Sequence, residues 1–273
     1  MVNGYAPDTL HEALHIRATQ TVTPYAGGTD LMIGEQRPGS YLFLHKIPEL
    51  KRVAREGDVL RLGAACTYTE LLANDLTPAL LKDAIRLIAA PAIRNEGTIG
   101  GNIANGSPKA DSALIFFAAD ATLKLASERG ERLLPIREFY LGRKALALAP
   151  DELIVEIQMP LAWVNDYVYH KVGARKALAI SRVAFAGLMT VRDGVIRHCA
   201  TAFGSIGEVI LRRPDLDAML VGKTVEEAIA LRPAYLAKYR EAIVPIRGRV
   251  SAEYRKQVCL NLLEDFLGKY GIV

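Results

Sequence analysis

Hydrophobic and polar positions follow two periods along the first part of the chain, and they predict a mixture of strands and helices. Over 78–89 one face is apolar, which is typical of an amphipathic helix; it contains Leu80, Leu81, Ala84, Ile85 and Ile88. Short apolar runs between turn residues predict strands. These strands are expected over 22–26, 41–44, 51–55, 59–62, 121–127, 132–135 and 152–159. Such a mixture is typical of α/β and α+β domains.

Capping residues predict two further helices in this part of the chain. Asp8 or Thr9 is placed to cap a short helix that opens within 7–14. Thr67 and Glu70 have the spacing of a capping box, in which the two residues satisfy each other's backbone N–H groups. A helix is expected to follow and to end near residue 73.

The pattern changes near residues 161–166, and we place a domain boundary there. The segments that follow are typical of antiparallel strands, with Asp193-Gly194 as a hairpin turn because both residues tolerate a positive φ. The predicted strands are 167–172, 182–192 and 195–204, and the predicted helices are 225–231 and 252–269. The prediction is therefore an N-terminal domain over residues 1–164 and, over residues 165–273, a C-terminal domain with a small antiparallel sheet and helices.

Two stretches are rich in glycine and other small residues. The first is Tyr25-Ala26-Gly27-Gly28-Thr29-Asp30-Leu31, and the second runs from Thr98 to Asp111 and contains Gly100-Gly101. A packed helix or strand has no need of so many small residues, so both stretches are expected to be loops. Glycine lets the backbone approach a ligand closely, and successive N–H groups in a loop can form an anion-binding concavity. We expect two loops around one extended phosphate ligand; the alternative is two tight turns.

Composition and charge describe an ordinary globular protein. Of the 273 residues, 51% are hydrophobic and 23% are charged, and the formal net charge is +4. The densest basic runs, 46–55 and 247–256, are interrupted by acidic and apolar residues, so no nucleic-acid partner is expected. Residues 1–8 lack the apolar segment of a secretory signal. No apolar run approaches the roughly 20 residues that cross a bilayer. A cytoplasmic protein without a membrane partner is expected.

Cysteine and histidine positions argue against a metal centre in this chain. Cys66, Cys199 and Cys259 are far apart, and there is no C-x-x-C pair to ligate an iron–sulfur cluster or zinc. We expect them to be buried free thiols. The five histidines show no zinc-binding spacing. Walker, dinucleotide-fold and serine-hydrolase motifs are also absent. No metal ligand and no catalytic residue is predicted.

The glycine stretches do resemble one family, namely the FAD-binding subunit or domain of molybdenum hydroxylases, which include xanthine dehydrogenases and the carbon monoxide dehydrogenase medium subunit. The residues that carry the resemblance are 26–31, 98–102 and 107–111. Residues 149–160 and 169–175 are similar to the strand that closes the flavin domain and the segment that opens the C-terminal domain. The resemblance implies an α+β fold, in which a two-subdomain FAD-binding domain of the vanillyl-alcohol-oxidase/PCMH type precedes the C-terminal domain.

The resemblance also implies a noncovalent FAD and the positions that hold it. Backbone N–H groups of the two stretches would hold the pyrophosphate from opposite sides, with a hydroxyl from Thr29, while Asp30 would contact a neighbouring backbone or flavin group. Asp111 would accept hydrogen bonds from ribityl or ribose hydroxyls; the alternative is a favourable charge at the start of the apolar helix expected over 112–119. The implied residues in these stretches are Pro24, Tyr25, Ala26, Gly27, Gly28, Thr29, Asp30, Leu31, Thr98, Ile99, Gly100, Gly101, Asn102 and Asp111.

Three further positions are implied to contact the flavin. Ile88 would pack on the cofactor, although its spacing alone predicts a core residue. Ile154 would lie against the flavin ring. Lys171 would lie near the polar edge of the ring, where a positive charge stabilises the reduced anionic flavin. The alternative for Lys171 is an exposed lysine on a strand.

The implied function is an electron relay in a complex of several subunits. A molybdopterin-binding subunit would hydroxylate the substrate, and two [2Fe–2S] clusters on an iron–sulfur subunit would pass the electrons to FAD. From FAD they would go to NAD⁺, a quinone, oxygen or another acceptor. Because this chain has no cysteine cluster, the cluster ligands are expected on a partner. Two alternatives stay open: a free-standing flavin oxidoreductase of the same fold, and a non-catalytic module that binds a phosphate ligand.

Overall fold

The computed structural model describes residues 4–33, 39–176, 178–246 and 248–273. The first three residues of the segment 1–8 and position 247 of the basic run therefore lie outside the described residues. The chain divides into two units, each made of several segments. Unit 1 is Met1–Thr77, Ile88–Gly106 and Asp120–Pro160, and unit 2 is Pro78–Leu87, Ser107–Ala119 and Leu161–Val273. The limits 1–164 and 165–273 stay a prediction.

Among the described residues, the strands form four sheets. The strands are β1 (Gly4–Tyr5), β2 (Val22–Tyr25), β3 (Ser40–Phe43), β4 (Val53–Glu56), β5 (Val59–Gly63), β6 (Thr122–Ser127), β7 (Gly130–Pro135), β8 (Tyr140–Gly142), β9 (Ala145–Leu146), β10 (Leu153–Pro160), β11 (Tyr167–Val172), β12 (Val183–Arg192), β13 (Val195–Gly204) and β14 (Leu211–Arg212).

Helices connect and cover these sheets. The α-helices are α1 (Leu10–Thr19), α2 (Tyr68–Ala73), α3 (Ala79–Arg86), α4 (Pro91–Glu96), α5 (Ile99–Ala104), α6 (Asp111–Ala118), α7 (Ile136–Phe139), α8 (Pro214–Asp217), α9 (Val225–Ala242) and α10 (Ala252–Lys269), and Pro48–Lys51 forms a 3₁₀ turn. Helices and mainly antiparallel sheets occupy separate segments, which is the predicted α+β architecture.

Unit 1 contains a small parallel sheet, β1-β3-β2, and an antiparallel sheet in the order β4-β5-β10-β6-β7. Helix α1 begins at Thr9, whose side chain accepts a hydrogen bond from the Glu12 N–H group, and the capping box of Thr67 and Glu70 starts α2 as predicted. Strand β10 is at the centre of its sheet, paired with β5 on one side and β6 on the other. Buried and half-buried positions alternate over residues 155–160, as in a strand with one face against the core.

Unit 2 is built on the antiparallel sheet β11-β12-β13-β14. The turn between β12 and β13 is formed by Asp193 and Gly194, with φ of 52° and 71°, as predicted. The segment Val183–Met189 is buried along its whole length, so both faces of β12 are covered. Helices α6 and α10 both pack on this strand. Every residue of α6 is buried, which accounts for its nearly continuous apolar sequence.

The prediction that the helix after residue 225 ends at 231 is wrong, because α9 continues to Ala242 through Pro233. A proline inside a helix costs about 3 kcal/mol, since it removes a hydrogen bond and crowds the preceding turn. Beyond Pro233 the helix buries Tyr235 and Tyr239 completely. Burial of two large aromatic side chains offsets that cost.

Candidate functional site

The first glycine stretch follows β2 as the predicted loop. Gly28 has φ of +68°, a conformation in which other residues are strained, and the Met32 N–H group donates to its carbonyl oxygen at 2.9 Å. Within the described part of the chain, the N–H groups of residues 27–31 have no hydrogen-bond partner. Successive free N–H groups around a turn can form a concavity suited to an anion.

The second glycine stretch differs from the prediction, because part of it forms the short helix α5 rather than a loop. Thr98 caps this helix by accepting a hydrogen bond from the Gly101 N–H group at 3.1 Å. Ile99 and Ile103 are fully buried on one side of it, and the burial stabilises a turn that glycine disfavours. The N–H groups of Ile99 and Gly100 donate to the Cys66 and Ala64 carbonyl oxygens at 3.0 and 2.8 Å. These N–H groups are therefore already engaged within the protein.

The structure brings the two glycine stretches into contact within unit 1. A Cβ atom built on Gly27 would collide with the carbonyl oxygen of Glu96, so the loop and the end of α4 pack backbone to backbone. A Cβ atom built on Gly101 would lie 3.8 Å from that of Ala26. The Asn105 side-chain amide donates a hydrogen bond to the Asp30 carboxylate. The first loop thus lies along α5, from Glu96 before its start to Asn105 at its C-terminal end.

A cavity of about 320 Å³ lies next to this contact and is lined by Ala26 and Thr98 from the two stretches. This volume falls in the usual range of ligand pockets. Lys51 and Glu70, which also line it, form an ion pair at 3.1 Å. The cavity lining therefore combines charged and polar side chains with small residues such as Ala26.

Asp111 and Lys171, both in unit 2, contact each other directly. Asp111 is the first residue of α6 and is 8% exposed. The Lys171 Nζ donates to one carboxylate oxygen at 2.7 Å, and the Ser181 hydroxyl donates to the other at 2.7 Å. Burial raises the pKa of Asp111, while the lysine charge and the hydroxyl act in the opposite direction. Its carboxylate is thus fixed and has a single dominant counter-charge.

Lys171 is not the exposed strand lysine that we considered as an alternative. Its side chain is 8% exposed, and its Nζ also donates to the Leu87 carbonyl oxygen at 2.8 Å. Ser181 was missed, because it lies in an irregular segment far along the sequence from Asp111 and no local pattern marks it. Only the fold brings these residues together.

The two isoleucines differ in their surroundings. Ile88 lies beyond α3, which ends at Arg86 rather than near 89 as predicted, and it is half-buried. The Arg94 guanidinium stabilises the segment after α3 by donating to the Ile88 carbonyl oxygen at 2.7 Å. Ile154 is buried in β10, next to an irregularity in the pairing with β6.

The cysteines are buried free thiols, as predicted. Burial raises the pKa of Cys66 to about 11 and that of Cys259 to about 12, so both stay protonated at neutral pH. Across the described ranges, no three His, Cys, Asp or Glu side chains converge as metal ligands. In the same ranges, no helix combines the length and apolar character needed to cross a bilayer.

Comparison with protein families confirms the resemblance in the sequence. Residues 1–162 match the FAD binding domain in molybdopterin dehydrogenase, and residues 168–270 match the CO dehydrogenase flavoprotein C-terminal domain. The chain is 30% identical to the carbon monoxide dehydrogenase medium chain of Hydrogenophaga pseudoflava, over 96% of this chain and 94% of that one. It is 34% identical to the xanthine dehydrogenase FAD-binding subunit of Escherichia coli O157:H7, over 72% of this chain and 71% of that one.

A solved structure has the same fold along nearly the whole chain. It is the carbon monoxide dehydrogenase from Hydrogenophaga pseudoflava that lacks the Mo-pyranopterin moiety of the molybdenum cofactor. The TM-score is 0.88 at 26% identity, and the match covers 98% of this chain and 96% of that chain. The chain belongs to the family of FAD-binding subunits of molybdenum hydroxylases, and it is a subunit of an oxidoreductase.

Proposed function

We propose that this chain binds FAD noncovalently and relays electrons from [2Fe–2S] clusters on a partner subunit to NAD⁺ or another acceptor. The observation that carries the proposal is the row of free N–H groups at residues 27–31 beside the exposed α-carbon of Gly101. A diphosphate is the part of FAD that such a row suits, because successive N–H dipoles converge on its negative oxygens. Because Gly101 has no side chain, the backbone of α5 at this position stays uncovered.

The proposal assigns different tasks to the residues of the second stretch. Thr98, Ile99 and Gly100 would support the binding loop. The Thr98 carbonyl oxygen accepts from Asn102, the N–H groups of Ile99 and Gly100 donate within the protein, and Gly100 packs on Ala64. Gly101 is the position that leaves space for the cofactor. The first loop therefore supplies most of the hydrogen bonds to the pyrophosphate, and Pro24 and Tyr25 hold its entry at the end of β2.

For Asp111 we propose acceptance of hydrogen bonds from ribityl or ribose hydroxyls. Each carboxylate oxygen has two lone pairs, and each already accepts one hydrogen bond from Lys171 or Ser181. One further hydroxyl can therefore bind without breaking the ion pair. The charge of Lys171 lowers the pKa of Asp111 and so opposes the effect of burial, which raises it. Ile88 and Ile154 are proposed to offer apolar surface to the cofactor.

FAD, when bound, supplies the conversion between one-electron transfer from clusters and delivery to the final acceptor. Buried thiols at Cys66, Cys199 and Cys259 offer no cluster ligands, which supports a separate iron–sulfur subunit. Relatives named medium chains or subunits support a complex that also contains a molybdopterin-binding subunit. We propose a cytoplasmic location for this complex.

The test is to purify the chain alone and together with its neighbouring gene products. Noncovalent FAD at one per chain in the isolated protein is expected, released by acid and identified by its absorbance. Stable recovery with iron–sulfur and molybdenum subunits, and flavin reduction by substrate only in their presence, would support the relay. A chain that turns over substrate without partners would instead be a free-standing oxidoreductase. A folded chain that binds no flavin would leave only a phosphate-binding module.

A further inference from the structure

Arg255 is a buried cation that forms no ion pair with an acidic residue in the described part of the chain. It lies near the N-terminal end of α10 and is 5% exposed. Its Nη1 donates to the Ser205 carbonyl oxygen at 3.1 Å. Its Nε and Nη2 are buried and have no hydrogen-bond partner among the described residues. A buried charge left in this state strongly destabilises a fold, so such a group indicates a partner that the protein chain itself does not provide.

The two unpartnered nitrogen atoms form one edge of the guanidinium group. Nε and Nη2 point in the same direction, and this edge binds two oxygen atoms of one carboxylate, phosphate or sulfate in parallel. Gly248 packs on the flat face, since a Cβ atom there would lie 3.1 Å from the Cζ of Arg255. The guanidinium is therefore held in place while its binding edge stays available.

Ser205 supplies a third unsatisfied group beside Arg255. It is 4% exposed, and within the described ranges its hydroxyl has no partner. Its φ of +68° is uncommon for a serine and is a form of backbone strain that is frequent at binding sites. The conformation is fixed on both sides, because its N–H group donates to the Pro108 carbonyl oxygen at 2.8 Å and its own carbonyl accepts from Arg255.

The surrounding charge also favours an anion. The basic run 247–256 contains three arginines and one lysine, with Glu253 as its one acidic residue. The N-terminal end of an 18-residue helix adds a partial positive charge. This run plays no part in the proposed FAD site, so its charge needs another explanation.

We propose that Arg255 and Ser205 bind a small oxyanion such as phosphate or sulfate. Two of its oxygen atoms accept from Nε and Nη2 of Arg255, and a third accepts from the Ser205 hydroxyl. The burial of these donors favours a small free anion over a side chain of another protein. The Ser205 N–H group donates to the carbonyl oxygen of Pro108, three residues before Asp111. The bound anion therefore also stabilises the segment that leads to Asp111.

The first experiment measures the melting temperature of the full-length chain in phosphate and in chloride at equal ionic strength and pH. The melting temperature of wild type is expected to rise with phosphate and not with chloride. Arg255→Lys keeps the positive charge but loses the pair of parallel N–H donors. This variant should need at least tenfold more phosphate for the same rise in melting temperature. Ser205→Ala should need several-fold more. Arg249→Lys, at an exposed arginine of the same run, is the matched control and should behave as wild type.

Equal effects of phosphate and chloride on wild type would overturn the proposal, and so would an Arg249→Lys variant that loses as much response as Arg255→Lys. A second experiment needs no variant, in case Arg255→Lys does not fold. Wild-type crystals are soaked in selenate, and an anomalous peak within hydrogen-bond distance of Nε and Nη2 is expected. Ordered water alone at that edge would refute the oxyanion. Neither result depends on whether FAD binds.

Discussion

Gly101 offers the sharpest test of where the FAD pyrophosphate is held, because its substitution separates an effect on the ligand from an effect on the fold. The residue is exposed, and an added Cβ atom would lie 3.8 Å from that of Ala26, on the side of the first glycine loop. At the neighbouring Gly100, an added Cβ atom would lie 2.6 Å from that of Ala64, inside the protein. Variants at these two adjacent glycines should therefore fail for different reasons.

The effect of Gly101→Ala on the fold is the sum of two opposed contributions. Alanine in place of glycine within a helix stabilises it by about 1 kcal/mol. The new Cβ atom would lie 2.8 Å from Thr98 Oγ1, so the capping hydrogen bond has to shift, and its loss costs about 1 kcal/mol. The free energy of unfolding should stay close to that of wild type.

The effect on FAD binding should be larger, because the methyl group would occupy the space that we propose for the cofactor. Loss of two hydrogen bonds at about 1 kcal/mol each would raise the dissociation constant roughly 30-fold. Gly101→Val adds two more methyl carbons and should abolish retention. Gly100→Ala should mainly destabilise the fold, by about 1–3 kcal/mol, because it overpacks the contact with Ala64.

The assay combines flavin absorbance of the purified chain, fluorescence titration with FAD and thermal unfolding. For Gly101→Ala we expect a stability near that of wild type and weak FAD binding. For Gly100→Ala we expect a lower stability and a smaller effect on FAD binding. A Gly101→Val protein that retains as much flavin as wild type would refute the reasoning. The pyrophosphate would then have to be held elsewhere.

Three further predictions concern stability, and urea denaturation measures each. Asp217→Asn should lower the free energy of unfolding by about 3–5 kcal/mol, because the buried Arg212 loses its counter-charge. The control, Asp215→Asn at an exposed carboxylate, should leave the denaturation midpoint near that of wild type. Equal effects of the two substitutions would contradict the argument. Arg132 lowers the pKa of Glu152, so the pair stabilises fully above the ordinary value of 4.5 and loses its effect as pH falls through the lower folded value. The difference between wild type and Arg132→Gln should accordingly shrink below pH 4.5, and a constant difference would count against it. Lys171→Met should lower the free energy of unfolding by about 3–5 kcal/mol, and Asp111→Asn in the same protein should recover part of that loss. Strictly additive effects of the two substitutions would show that the two side chains do not stabilise each other.

Features that depend on near neighbours could be predicted from the sequence. The capping box of Thr67 and Glu70 and the hairpin turn at Asp193-Gly194 need only residues within a few positions of each other. The helix α5 could not be predicted in this way, because its glycines disfavour a helix and its stability comes from the burial of Ile99 and Ile103. Strands β1, β8, β9 and β14 are too short to show a period.

The candidate site shows the same division between local and tertiary causes. Gly-Gly pairs are visible in the sequence, and the structure brings the two stretches into contact. That they hold one ligand between them stays a prediction. The ion pair of Asp111 and Lys171 is not visible there, since the two residues belong to separate elements and each has an ordinary local explanation. Ser181, which completes the hydrogen bonds of that carboxylate, carries no sequence signal at all.

Sequence reasoning treats the glycines of the motif as one class, but the structure shows that they have three different physical causes. Gly27 and Gly100 are needed because protein backbone packs where a Cβ atom would be. Gly28 is needed for its positive φ. Gly101 is needed for neither reason, because its Cβ position is open apart from the capping hydroxyl of Thr98. Gly27, Gly28 and Gly100 would be required for folding even without a cofactor. At Gly101 an added Cβ atom would meet only a side-chain hydroxyl at close range, so substitution at this position best separates the proposed ligand contact from the fold.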